Sequence, residues 1–218
     1  MKRYQTIAEL PDLLPVFPLA GGLLLPRAEL PLNIFEPRYL ELFNDMIPSH
    51  RMVGMIQPIT GAGGDKPALS RIGCAGRITA FAETGDGRLL ITLSGICRFE
   101  MVDEIIVPTP YRQLHVTYDG FAADLVSENQ ARSVNRVALV TAFRQYLEAN
   151  SMDANWDEVD QVSTENLVNT LSQMAPYPAN EKQALLEAPD LKSRADMLIA
   201  LTELALAKSG SGTSKTLQ

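Results

Sequence analysis

The chain has 218 residues, with 19 Lys and Arg against 26 Asp and Glu, a formal charge of −7. Its hydrophobic fraction of 46% is that of a globular protein and excludes wholesale disorder, and the acidic balance argues against a nucleic-acid binder that works through phosphate contacts. Two cysteines, Cys74 and Cys97, are too few for a disulfide scaffold or an all-cysteine zinc site.

The amino terminus mixes Lys2, Arg3, Glu9 and Asp12 with apolar residues, and the apolar stretch Leu13–Leu25 is cut by Pro15, Pro18 and Gly21-Gly22. Neither pattern is that of a signal peptide, and no run reaches the length of a membrane span, so a soluble, cytoplasmic protein is expected. Up to about Asp119 the chain alternates and is punctuated by Gly and Pro, which is strand patterning; beyond about Ala123 it is rich in Ala, Leu and Glu at helical spacing. The excess of acid sits mainly in the second half.

Strands are expected at 14–19, 30–35, 52–59, 99–107 and 111–118, with a short helix between the second and third of these. Pro37 suits the first turn of that helix, and Leu40, Phe43 and Ile47 form its apolar stripe. Gly61–Lys66 reads as a surface loop. The clearest element is a hairpin turning at Thr84-Gly85-Asp86-Gly87. Its simplest register sets Ile78 opposite Leu93, Ala80 opposite Ile91 and Cys74 opposite Cys97, with Ala82 on the same apolar face. Gly76 and Gly95 mark a bulge or bend, as in a sheet coiling towards a barrel. Four helices are expected in the second half. They lie at about 126–149, at 164–175 with Ser163 as N-cap, at a short segment opened by Asn180 and Gln183, and from Asp190 to about Lys208. Ser209–Gln218 reads as a disordered tail. The resulting organisation is 1–122 for the strand-rich part, 123–208 for the helical part and 209–218 for the tail.

The sequence carries no recognisable catalytic signature. Gly61–Lys66 fails as a phosphate-binding loop because Asp65 separates Gly64 from Lys66, and no Gly-x-Ser-x-Gly elbow is present. His50, His115, Cys74 and Cys97 have no metal-ligand spacing, and the cysteines read as buried thiols. Asp153, Asp157, Glu158 and Asp160 around Trp156 lack the order of a calcium loop and read as a solvated helix start.

Several segments together resemble a known family. Leu14-Pro-Val-Phe-Pro-Leu19, Leu30-Pro-Leu-Asn-Ile-Phe-Glu-Pro-Arg-Tyr39 and Gly54-Met55 are similar to the opening of the substrate-binding amino-terminal domain of Lon protease. Gly73–Ile78, Leu89–Phe99, Tyr111-Arg112 and Pro176–Leu191 follow in the order of its later elements. The likeness spans about residues 10–208. It implies an α+β protein: a PUA-like antiparallel β-barrel with one short helix, followed by a C-terminal α-helical bundle. It also implies a stand-alone module without the ATPase and the Ser–Lys protease that full Lon carries later in its chain, hence no catalytic residue, cofactor or metal.

The function expected is non-enzymatic, ATP-independent recognition of unfolded or exposed polypeptide segments, as a substrate-binding or adaptor module that serves a proteolytic machine. Exposed apolar surface is its physical requirement, and the Pro-rich rim Phe17, Pro18, Leu23, Leu24, Leu25 and Pro26 is the candidate peptide-binding site, together with any unpaired strand edge. Phe35, Glu36, Pro37, Arg38 and Tyr39 are read as a structural corner: Phe35 fills the barrel, Pro37 starts the helix, and Glu36 pairs with Arg38. Two alternatives stand beside this reading. One is RNA binding by a basic face of Arg71, Arg77, Arg88 and Arg98; the other is a hydrolase with an unrecognised dyad.

Overall fold

The computed structural model describes residues 4–59, 66–126 and 130–211. They fall into two compact units: the described residues up to 126 together with Pro176–Leu186, and those from 130 to Ala175 together with the residues from Glu187 on.

The first unit carries strands β1 (Leu13–Pro18), β2 (Glu29–Ile34), β3 (Met52–Ile56), β4 (Ile72–Glu83), β5 (Leu89–Ile105) and β6 (Arg112–Thr117), with helix α1 (Pro37–Met46) between β2 and β3. Strand order is β2-β5-β4-β3-β1-β6, and β5 also pairs with β6. The pairings β5-β4-β3-β1-β6 therefore return to β5, and β2 alone has a single neighbour among the described strands. The long β5 makes this possible. Residues 89–94 pair with β2, and 100–105 pair with β6. The strand expected at 99–107 is thus the continuation of the hairpin's second arm.

The sheet is mixed rather than antiparallel throughout, because β1 and β3 run parallel, Val16 beside Gly54 and Phe17 beside Met55. The connection between them passes through β2 and α1, which is long enough for the crossover that parallel neighbours require. Leu14, Val16, Met52, Ala75, Cys97, Phe99, Leu114 and Val116 form the core within this sheet.

The hairpin forms where expected, but its register differs on both sides of the middle. Gly76 faces Gly95 and Ile78 faces Leu93, whereas Ala75 faces Cys97, Cys74 faces Arg98, and Ala80 faces Thr92. One extra residue on each strand, Ile96 on β5 and Thr79 on β4, shifts the pairing by one at each place. The cysteines are therefore not paired across the ladder, although both are buried as expected. Ala80 and Ala82 are exposed rather than part of the apolar face.

Helix α1 begins at Pro37 as the sequence demands. Its buried residues are Tyr39, Leu42 and Phe43; of the expected stripe Phe43 is buried, while Leu40 and Ile47 are half-buried. Phe17 sets that face. Its ring meets Tyr39 at 4.4 Å and Phe43 at 6.0 Å, both edge to face. Phe35 points outward, 63% exposed, and does not fill the core.

Beyond the sheet come α2 (Arg136–Ala149), α3 (Trp156–Gln161), α4 (Thr164–Met174), α5 (Ala179–Glu187) and α6 (Leu191–Ser211). The helix expected from 126 starts ten residues later, after a 3-10 turn at Gln130–Ser133, where the Asn135 side chain accepts from the Ala138 amide at 3.1 Å. The acidic run forms a fifth helix, α3, with Asp157 and Glu158 in its first turn. Ser163 and Asp190 cap their helices, accepting from Asn166 N at 3.3 Å and Ser193 N at 2.7 Å. In the second unit α2 packs on α6, and Arg144 lies 4.2 Å from the centre of the Trp156 ring. Helix α5 belongs with the sheet. Gln57 Nε2 donates to Ala179 O at 3.1 Å, and Gln183 Nε2 donates to Ile72 O at 3.0 Å. Helix α6 continues through Ser211, into the segment expected to be tail; the rest of that tail, and the loop at Gly61–Lys66 apart from Lys66, lie outside the described residues.

Candidate functional site

The Pro-rich rim is not a surface. Phe17 is 7% exposed, Leu23 2%, Leu24 1% and Leu25 0%. Pro26 is buried, and only Pro18 is half-buried. The segment lies against the hairpin bulge: Arg27 N donates to Gly95 O at 2.8 Å, and Gly95 N donates to Ala28 O at 2.8 Å. Its apolar side chains are core, so the exposed apolar area that client binding needs must come from elsewhere.

The basic face loses one of its four members. Arg98, expected to point outward, is 4% exposed and ion-paired with Asp124. Arg71 pairs with Glu100, Arg88 with Asp86, and Arg77 donates to Tyr4 Oη and His50 O. His50 Nδ1 accepts from the Met52 amide at 3.0 Å, and burial, aided by the Arg77 charge, lowers its pKa. His115 Nδ1 meets Asp103 at 2.7 Å. No group of His, Cys, Asp or Glu among the described residues is arranged to hold a metal ion. Glu36 and Arg38 pair at 2.8 Å, locking the strand–helix corner.

The two largest described concave surfaces of the first unit are of about 400 Å³, against about 240 Å³ for a third between α1 and the hairpin turn. The first is a shelf on strands β2, β5 and β4. Their register aligns Leu32, Ile91 and Phe81 in one row and Asn33, Leu90 and Ala82 in the next. Together with Pro31, Ala80 and Thr92 they line a groove of about 400 Å³. Along β5 the face of Leu89 and Ile91 is buried, and the opposite face presents Leu90, 47% exposed, in line with Asn33 and Ala82; Phe81, 48% exposed, shares the face of Leu32 and Ile91. The shelf ends on β2, the strand with one neighbour among those described. Pro31 there offers no backbone N–H, a common feature of strand edges that are not meant to pair with another copy. Sequence alternation alone hides this site, since it assigns Leu90 no special place.

The second surface is a cleft of about 410 Å³ beside the start of α1, lined by Arg38, Tyr39, Lys66, Tyr111, Arg112 and four prolines. Arg38 donates through Nε and Nη2 to Glu36 and stacks 4.6 Å from the Tyr39 ring centre. Arg112 holds Glu104 with two bonds, at 3.0 and 2.6 Å, and Lys66 meets the same carboxylate at 2.6 Å. The Arg112 bonds first, then Lys66, keep Glu104 below the usual carboxylate range, against the effect of burial. Tyr111 Oη donates to Asp45 at 2.7 Å; burial and that bond push its phenol up to about 12. Of the corner motif, Arg38 and Tyr39 line this cleft, while Phe35 and Pro37 do not.

Comparison with known proteins places this architecture. The family model described as the ATP-dependent protease La (LON) substrate-binding domain matches residues 13–203, and the match is to that domain alone. The Lon protease 2 of Myxococcus xanthus is 25% identical over 198 residues, covering 88% of this chain and 24% of that protein. The Lon protease of Flavobacterium johnsoniae is 25% identical over 191 residues, covering 86% and 23%. The chain thus spans about a quarter of the length of these relatives. Among solved structures, the Lon N-terminal domain protein from Xanthomonas campestris superposes with a TM-score of 0.60 at 22% identity, covering 86% of this chain and 97% of that one. The N-terminal domain of the Mycobacterium avium complex Lon protease gives 0.60 at 17%, covering 88% and 98%. At such identities the structures share the fold. With the family model matched across most of its length, the chain belongs to the Lon substrate-binding domain family.

Proposed function

We propose that this protein is a non-enzymatic, ATP-independent recognition module for unfolded or exposed polypeptide segments, acting as a substrate-binding or adaptor component of Lon-type proteolysis in the cytoplasm. The family supports recognition of substrate as the general role. The observation that carries the reading here is the β2–β5–β4 shelf: a groove on the face of Pro31, Ala80, Ala82 and the half-exposed Leu90, on the described strand that has a single strand neighbour and the two beside it. An extended client segment there gains burial of its alternate side chains. We read the closed circuit of pairings as the PUA-like barrel of the family, a rigid base for that groove, and the helices of the second unit as its bundle. No helix among the described residues is long and apolar enough to cross a membrane.

Fluorescence anisotropy with one labelled client, presented native and then reduced and carboxymethylated so that it stays unfolded, tests the reading. Preferential binding of the unfolded form is expected. Equal binding of the two forms, or none, overturns it.

A further inference from the structure

The cleft beside α1 differs in chemistry from the shelf. In a chain of net charge −7, its lining among the described residues holds three cations, Arg38, Lys66 and Arg112, and no carboxylate. The nearest acids are engaged: Glu36 accepts from Arg38, Glu104 from Arg112, and Asp45 from Tyr111. Two of the cations face solvent, Arg38 with 52% and Lys66 with 63% of the side chain exposed. Arg38 spends Nε and Nη2 on Glu36, and its Nη1 donates to nothing among the described residues. Stacking on Tyr39 fixes the guanidinium plane in advance, so a ligand that meets it loses little side-chain freedom on binding.

We propose that this cleft is a second recognition site, which takes the acidic side chains of an extended polypeptide. The proposal rests on the polypeptide-binding reading above and deepens it by naming a sequence class. Charge complementarity selects an anion, and Arg clusters are a recurring means of reading acidic motifs. The walls decide which carboxylate. A chain-terminal carboxylate is commonly captured by a nest of backbone N–H groups, whereas Pro18, Pro58, Pro67 and Pro110 contribute lining without any N–H. Recognition therefore falls to the side-chain cations, which suits Glu or Asp within a chain. The incoming carboxylate takes up Arg38 Nη1 and competes for Lys66. The Lys66–Glu104 pair is exposed on the lysine side and costs little to open, and Glu104 keeps its two bonds from Arg112.

The test uses the whole chain and a fluorescein-labelled, C-terminally amidated peptide rich in Glu and Pro, against its Gln counterpart, at low salt. The Glu peptide is expected to bind about tenfold tighter, with the preference shrinking as salt is raised. Lys66→Met should reduce the preference, and Arg38→Met with Lys66→Met should abolish it at an unchanged melting midpoint. If the double variant melts early, Lys66→Met alone decides the outcome. Equal affinity for the two peptides overturns the proposal, as does a preference that survives Lys66→Met in full. A Gln peptide that gains as much from a free C-terminal carboxylate as from Glu also overturns it, by assigning the cleft to chain ends. If unfolded client binds while the Glu preference is absent, this inference fails alone; if neither binds, the polypeptide reading fails with it.

Discussion

Arg98 and Asp124 face each other inside the first unit, with Nε donating to Oδ2 and Nη2 to Oδ1, both at 2.8 Å. Their side chains are only 5% and 9% exposed. The same carboxylate accepts from the Arg98 backbone amide at 3.0 Å, Arg98 Nη1 donates to Leu186 O at 3.1 Å, and the guanidinium lies 4.7 Å from the Phe121 ring centre. One pair thus fastens β5 to the 3-10 turn at Asp119–Leu125 and to α5. Burial works against the arginine's charge, but the bond to Asp124 and its charge outweigh it, and the net effect is a raised pKa.

Removing one partner of such a pair leaves the other charged and dry, at a cost of about 3–5 kcal/mol. Arg98→Met is expected to lose that much in urea unfolding, and Arg98→Lys to recover little, because an ammonium cannot reproduce the two-pronged contact. Arg98→Met combined with Asp124→Leu should regain most of the loss. A loss below about 1 kcal/mol for Arg98→Met would show that the pair is not a fastening.

Cys97 makes stability sensitive to alkali. Burial, reinforced by the Asp124 charge, pushes its thiol from the ordinary 9.0 up to about 12. The folded protein therefore keeps a proton that the unfolded chain releases. The contribution is complete below about pH 9 and is lost as pH rises towards 12, at about 1.4 kcal/mol per pH unit. Tyr118 and Tyr111 are raised by burial as well and add to the loss above their ordinary value of 10.0. Between pH 9 and 10 the unfolding free energy should fall less steeply in Cys97→Ala than in the parent chain. Identical slopes would remove Cys97 from the account.

Gly95 is required by a close approach. A Cβ there would lie 2.0 Å from the Leu25 carbonyl oxygen and 2.8 Å from its carbon, so the backbone itself must move. Gly95→Ala is expected to cost about 2 kcal/mol or more, read from the urea midpoint. In the hairpin turn, Gly85 has nothing within 4 Å, and Gly85→Ala should be neutral or gain up to about 1 kcal/mol. Equal effects at the two glycines would contradict the packing of 25–28 on the bulge.

What the sequence disclosed was local chemistry. Pro37 at a helix start, Ser163 and Asp190 as caps, and a hairpin around Gly85–Gly87 each follow from one residue's backbone preference or a short pattern. What it concealed depends on single-residue insertions and on partners far along the chain. Gly76 and Gly95 announced a bulge without saying that Ile96 would be the extra residue, and that one step moved Cys97 from Cys74 to Ala75. Arg98 looked like an outward position because its acceptor, Asp124, lies in an irregular turn well beyond the strand. Leu23–Pro26 looked like an exposed rim because apolar residues broken by Gly and Pro read the same whether they cover a surface or fill it. Of the candidate surfaces, the sequence pointed to Pro18, Arg38 and Tyr39 of the cleft and not to the shelf.

The shelf supplies the most direct separation of function from stability. Leu90 is about half exposed on the groove face, while Leu89, Ile91 and Leu93, on the opposite face of the same strand, are buried and carry the packing beneath it. Threonine keeps a strand-compatible branched side chain at this position and removes the large apolar surface. Exposed substitutions of this kind change stability by about 0.5 kcal/mol each. The contact area of a Phe or Leu buried under a client is worth about 1.5–3 kcal/mol. Leu90→Thr should therefore unfold within about 0.5 kcal/mol of the parent chain yet bind the unfolded, carboxymethylated client about tenfold more weakly. Undiminished client binding by the stably folded variant would place the polypeptide site away from the β2–β5–β4 groove.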